Sequence, residues 1–198
     1  SLGHNVVIVE GLTTVDTETS SDLLGRILRE IQPDRVILGP GPSVPESYSL
    51  TMEIARRSVL GELVVLGKHI PVLGLCLGHQ AIGLQEGWGL IKSPTGAVHG
   101  TPSIINNDGT GIFEGLPSKI TMMRYNSLVL EPKGGNLIIN SWDATGELVM
   151  GLRHSYLPIY GVQFHPESVG SPHGRELLHN FLRKRPVEFS EQLSRQAE

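Results

Sequence analysis

The chain has 198 residues, enough for one domain with a sizeable buried core. It is 39% hydrophobic and 18% charged with a formal net charge of -4, and its one basic cluster, Arg183-Lys184-Arg185, reads as a solvated helix end, so nucleic acid is not the expected partner. Cys76 is the single cysteine, which excludes an intramolecular disulfide and points to a reducing, cytoplasmic setting, and no apolar run approaches the ~20 residues that cross a membrane.

The chain opens Ser1-Leu2-Gly3-His4 with no signal peptide and passes directly into Val6 to Val9, a β-branched run that reads as a buried strand. So abrupt a start leads us to expect a further segment before it. Leu23 to Ile31 has helical spacing, with Ser20, Ser21 or Asp22 as candidate caps. Arg35 to Leu38 is a second strand, running into the loop Gly39-Pro40-Gly41-Pro42-Ser43. Leu50 to Leu60 reads as a helix, Pro71 to Leu75 as a third strand and Leu77 to Trp88 as the next helix. Strands alternating with helices predict a mostly parallel central sheet with helices on both faces.

The second half is different. Val98 to Ile105, Ile120 to Met123, Leu128 to Leu130, Leu137 to Asn140, Val149 to Arg153 and Ile159 to Phe164 are short strands separated by Gly, Asn and Asp turns. They predict small antiparallel hairpins decorating the sheet, with Tyr160 to Phe164 returning to it. Glu176 to Leu182 is the last helix and Pro186 breaks it. The expected domain covers 1–185, with a polar tail over 186–198.

Gly74-Leu75-Cys76-Leu77-Gly78 places a thiol between two glycines, after an apolar strand and before a helix. This is the nucleophile-elbow pattern with Cys for Ser. The sharp turn leaves no room for flanking side chains, hence the glycines. It lifts the nucleophile to the carboxyl end of the sheet, and the positive end of the following helix favours negative charge there. The amide of Leu77 points where an oxyanion would form. The pentapeptide also suits a packing cysteine beside a Gly-rich turn. Of eight histidines, His165 stands out because it ends a strand and is followed by Pro166 and Glu167. Glu167 is placed to orient an imidazole, as the third group of a triad does. A surface turn residue is the other reading of such a His. The remaining histidines show no tight ligand spacing, so no metal site is expected.

The stretch from Gly74 to Gln80, taken with Gly161-Val162-Gln163-Phe164-His165-Pro166-Glu167-Ser168, resembles the triad-type class I glutamine amidotransferases. It is most similar to the glutaminase subunits of anthranilate synthase and aminodeoxychorismate synthase. Gly39 to Pro45, Val98-His99-Gly100 with Asp108-Gly109, and Arg124-Tyr125-Asn126-Ser127-Leu128 also match that group. The resemblance runs from Gly3 to about Leu182 and implies a flavodoxin-like α/β fold. It implies that Cys76 forms a glutamyl thioester, that His165 is the acid and base, and that Glu167 orients it. It further implies that Gln80 contacts the substrate L-glutamine, that the loop Gly41-Pro42-Ser43 lines its site, that Gly41 and the Leu77 amide form the oxyanion environment, and that Ser127 and Leu128 hold the α-amino and α-carboxylate groups. The implied partner is a chorismate-binding synthase that receives the ammonia. No cofactor is implied in this chain, Mg2+ belonging to the partner.

Three departures stand out. The family loop usually has Gly where this chain has Ser43, the family usually has His where this chain has Asn126, and family members open with a strand and helix carrying an Asp-Asn-x-Asp-Ser-Phe-like segment before the position of Leu2. The N-terminal strand of the family is therefore expected to be missing. Two other readings stay open: a glutaminase serving another synthetase, such as one for GMP or carbamoyl phosphate, and a catalytically silent binding subunit.

Overall fold

The computed structural model describes residues 5–9 and 19–188. Helix α1 (Ser20–Glu30) leads to strand β1 (Val36–Leu38), a short 3-10 turn at Pro45–Ser47 and helix α2 (Ser49–Val59). The small strands β2 (Val64–Val65) and β3 (Lys68–His69) precede β4 (Val72–Leu75), helix α3 (Leu77–Gln85) and β5 (Gly89–Lys92). Five further strands follow: β6 (Thr101–Asn107), β7 (Lys119–Arg124), β8 (Leu128–Glu131), β9 (Leu137–Asp143) and β10 (Val149–His154). Strand β11 (Ile159–Val162), helix α4 (Gly174–Arg183) and β12 (Val187–Glu188) close the described chain.

The main sheet has seven strands in the order β1-β4-β11-β10-β9-β6-β7. Strands β1, β4 and β11 run parallel to one another, and the remaining neighbours pair antiparallel. The hairpins of the second half thus extend the parallel strands into one continuous sheet. The pair β5–β8 and the trio β12-β3-β2 form two small antiparallel sheets. In the trio, Val187 and Glu188 pair with His69 and Lys68. Residues 189–198 of the expected tail lie outside the described residues.

Alternation along β4 explains the layering. Val72 joins a core with Leu24, Leu50, Ile54 and Ile82 from α1, α2 and α3. Leu73 and Leu75 point the other way, into a core with Leu177 and Phe181 of α4. Helices therefore cover both faces, as the α/β reading requires. Each fully buried side chain in these cores contributes ~1.5–3 kcal/mol relative to exposure.

Two local expectations are corrected. Val6 to Val9 form no strand and are exposed, Val6 by 76% and Ile8 by 86%. β-Branched residues favour a strand only where a neighbouring edge supplies ladder bonds and a surface to pack on, and no described strand pairs with them. The cap of α1 is Thr19 rather than a later residue. Its Oγ1 accepts from the Asp22 amide at 3.1 Å and lies 2.6 Å from Asp22 Oδ2.

Candidate active site

The elbow is sterically enforced. Cys76 has φ 50° and ψ -97°, a strained backbone for a residue with a side chain, and it occupies the N-cap position of α3. A Cβ on Gly74 would come within 2.5 Å of the Gly78 and His79 backbone. One on Gly78 would come within 2.6 Å of Leu38 Cβ in β1. The two glycines let strand, turn and helix pass at a separation that no other residue permits. The Cys76 amide donates to Val162 O at 2.9 Å, which ties the turn to β11. The thiol is buried, and as the first residue of α3 Leu77 has an amide without an intrahelical partner. Gly41 packs beside the Leu77 side chain and the Tyr48 ring, at 3.3 and 3.5 Å from its would-be Cβ, so the loop after β1 adjoins the elbow.

His165 follows β11 and is braced by its backbone. Its amide donates to Met123 O at 2.9 Å, and Ser171 Oγ donates to its carbonyl at 2.6 Å while accepting from the Met123 amide at 3.0 Å. The imidazole Nδ1 lies 2.7 Å from Glu167 Oε1, and the Tyr125 ring packs edge-on at 4.9 Å between centroids. Nε2 is buried with no hydrogen-bond partner. Burial pulls the His165 pKa down, but the nearby Cys76 sulfur and the Glu167 carboxylate outweigh it and raise it to about 9. Burial pushes the Glu167 carboxyl up, and its bond to His165 overcomes this and holds it below the usual range. The fold therefore pairs His165 with Glu167 and brings the Cys76 sulfur near enough to act on the His165 pKa.

The other candidate residues divide. Gln80 is buried, and its Nε2 donates inward, to Leu128 O at 3.3 Å and Gln163 Oε1 at 3.1 Å. Leu128 O also accepts from Asn126 Nδ2 at 3.0 Å, while Ser127 O accepts from the Ser93 amide at 2.9 Å. Both of these carbonyls are thus engaged within the chain. Asn126 holds the buried Arg124, whose Nε donates to Asn126 Oδ1 at 3.1 Å. Pro42 and Ser43 are exposed. Ser43 adopts φ 69°, the glycine-like conformation, with its Oγ 3.3 Å from Ser47 Oγ.

The sequence reading missed Gln163, which is fully buried and donates from Nε2 to Cys76 Sγ at 3.5 Å. Its position two residues before His165 was a usable signal. It also missed Tyr125 and Ser171 as supports of the histidine. His79 is a fully buried packing residue against Gly161, neutral because burial lowers its pKa to about 3. Among the described residues, no group of three or more His, Cys, Asp or Glu is placed to hold a metal ion, and no helix is long and apolar enough to cross a membrane.

Residues 1–185 match the family model described as glutamine amidotransferase class-I, and the chain belongs to that family. Among named relatives it is 40% identical over 154 residues to anthranilate synthase component 2 of Thermus thermophilus, covering 77% of this chain and 71% of that one. It is 35% identical over 156 residues to aminodeoxychorismate synthase component 2 of Escherichia coli, covering 78% of each. It is also 41% identical over 151 residues to aminodeoxychorismate synthase of Streptomyces griseus, covering 75% of this chain and 19% of that longer protein. The fold is similar to that of a glutamine amidotransferase from Thermotoga maritima, with a TM-score of 0.57 at 17% identity, covering 85% of this chain and 67% of that one.

Proposed function

We propose that this chain hydrolyses L-glutamine and delivers the ammonia to a chorismate-using synthase. Cys76 is the nucleophile, His165 the acid and base, and Glu167 the residue that orients it. The observation carrying this reading is the buried His165, held by Glu167 on one ring nitrogen and unpartnered at Nε2, with the Cys76 sulfur near enough to raise its pKa.

A cationic His165 beside Cys76 supports negative charge on sulfur. The thiolate attacks the side-chain carbonyl carbon of glutamine, and the oxyanion that forms is met by the Leu77 amide and the Gly41 loop. His165 gives its proton to the amide nitrogen, the C–N bond breaks, and ammonia leaves a glutamyl thioester on Cys76. Water then attacks that thioester, His165 taking its proton, and glutamate departs as the thiolate is restored. The chain itself needs no cofactor for these steps. Any Mg2+ would belong to the synthase, and the pathway would be cytoplasmic.

The relatives' names favour anthranilate synthase as the partner, with aminodeoxychorismate synthase the alternative. A glutaminase for another synthetase has less support in those names, and a catalytically silent subunit would have no use for the Cys76–His165–Glu167 arrangement. The test is ammonia release from glutamine by the purified chain, alone and with each synthase and chorismate, together with labelling of Cys76 by a glutamine-derived electrophile. Release that depends on Cys76 and rises with one synthase supports the reading. Release unchanged in Cys76→Ser, or no labelling of Cys76, would refute it.

A further inference from the structure

Gln163 sits where the parallel register of β4 and β11 puts it. Leu75 pairs with Val162, so Cys76 and Gln163 are the next residues along two adjacent strands. The Gln163 side chain is fully buried, and its Nε2 approaches Cys76 Sγ at 3.5 Å. A buried amide beside a reacting sulfur can present either N–H or C=O to it, with opposite consequences. An N–H stabilises negative charge on sulfur, whereas a carbonyl oxygen repels it.

The surrounding network settles the choice. The Leu128 carbonyl can only accept, so Gln80 must turn its NH2 group towards it. The same Gln80 Nε2 donates to Gln163 at 3.1 Å, so Gln163 must offer its Oε1 there. Its Nε2 is thereby left facing Cys76. The far end is fixed in the same way. The Arg124 guanidinium can only donate, so Asn126 gives it Oδ1 and turns Nδ2 to the Leu128 carbonyl at 3.0 Å. A flipped Gln163 would set two NH2 groups against each other and a carbonyl against sulfur.

We propose that Gln163 is a further catalytic residue, whose N–H supports the negative charge of the Cys76 thiolate, and that Gln80 is a positioning residue that fixes the polarity of this amide. This deepens the reading of Cys76 as the nucleophile. It also assigns Gln80 an inward role besides any contact with substrate.

The test uses iodoacetamide alkylation of Cys76 at pH 7, which needs no glutamine, alongside steady-state glutamine hydrolysis. Gln163→Met keeps the length and removes the donor. A hydrogen bond to a charged acceptor supports roughly a tenfold or larger effect, so alkylation and kcat should fall about tenfold with KM for glutamine little changed. Gln163→Glu keeps the shape, places an oxygen against sulfur and should fall further. Gln80→Met, which does not touch sulfur, should slow alkylation similarly, and the double variant Gln80→Met/Gln163→Met should be no worse than Gln163→Met. Wild-type alkylation in either folded Gln163 variant would overturn the proposal, and additive losses in the double variant would overturn the role of Gln80. If the wild-type chain releases no ammonia but the variants still alkylate slowly, the proposed function fails while the role of Gln163 stands.

Discussion

Gly78→Ala probes the contact on which the elbow rests. The new methyl would lie 2.6 Å from Leu38 Cβ, 2.9 Å from the Leu38 carbonyl carbon and closer still to its oxygen. Two of these three atoms are backbone, so no rotamer change relieves the clash. Restoring ordinary contact requires α3 to withdraw from β1 by about 1 Å. Overpacking of this kind costs about 1–3 kcal/mol or more, and the backbone location puts it at the upper end. The opposing gain, Ala over Gly in a helix, is at most ~1 kcal/mol. The net expectation is a loss of about 2 kcal/mol, read as a lower urea unfolding midpoint. Because Cys76 sits on the same turn, a shift of ~1 Å should also cost about 100-fold in glutamine turnover. Gly25→Ala in α1 is the control. Its nearest neighbour is the flexible end of Arg29 at 3.2 Å, so it should stabilise by up to ~1 kcal/mol. An unfolding midpoint for Gly78→Ala equal to that of Gly25→Ala, with turnover intact, would refute the steric account of the elbow.

Three further outcomes are expected. Ser43→Gly should stabilise by about 0.5–1 kcal/mol in urea unfolding, because it relieves a side chain held at φ 69°; a clear loss of stability would mean that the Ser47 contact outweighs the strain. His165→Ala should lower glutamine turnover by at least ~100-fold and Glu167→Gln by less, since Glu167 acts through the 2.7 Å bond to His165 and its side chain is 41% exposed; the reverse order in folded proteins would overturn the assigned roles. Folding raises the His165 pKa from 6.5 to about 9, so its contribution to stability is full below pH 6.5 and is lost as pH rises towards 9; unfolding free energies measured across that window should decline in the parent and show a flatter profile in His165→Asn.

What could be read from the chain depended on how far apart the cause and its effect lie along it. Gly74 and Gly78 were legible because the clash they avoid is set largely by one turn, with Leu38 as the distant party nearest to Gly78. His165 and Glu167 were legible because a spacing of two residues across Pro166 is itself a geometric statement, and in the folded chain the two side chains meet at 2.7 Å. Gln163 was not legible as a contact of Cys76, since the two are far apart in sequence and meet only through the β4–β11 register. The hairpins were legible as strands, but their fusion with the parallel strands was not, because one pairing, β10 with β11, joins the two sets. Val6 to Val9 failed for the same reason in reverse: the β-branched pattern states a preference, and the ladder that would satisfy it is a property of another segment. The polarity of the amide network extends this logic to chemistry. No single residue from Arg124 to Gln163 dictates which atom faces sulfur. A donor-only guanidinium and an acceptor-only carbonyl do so together, across strands that only the folded chain brings side by side.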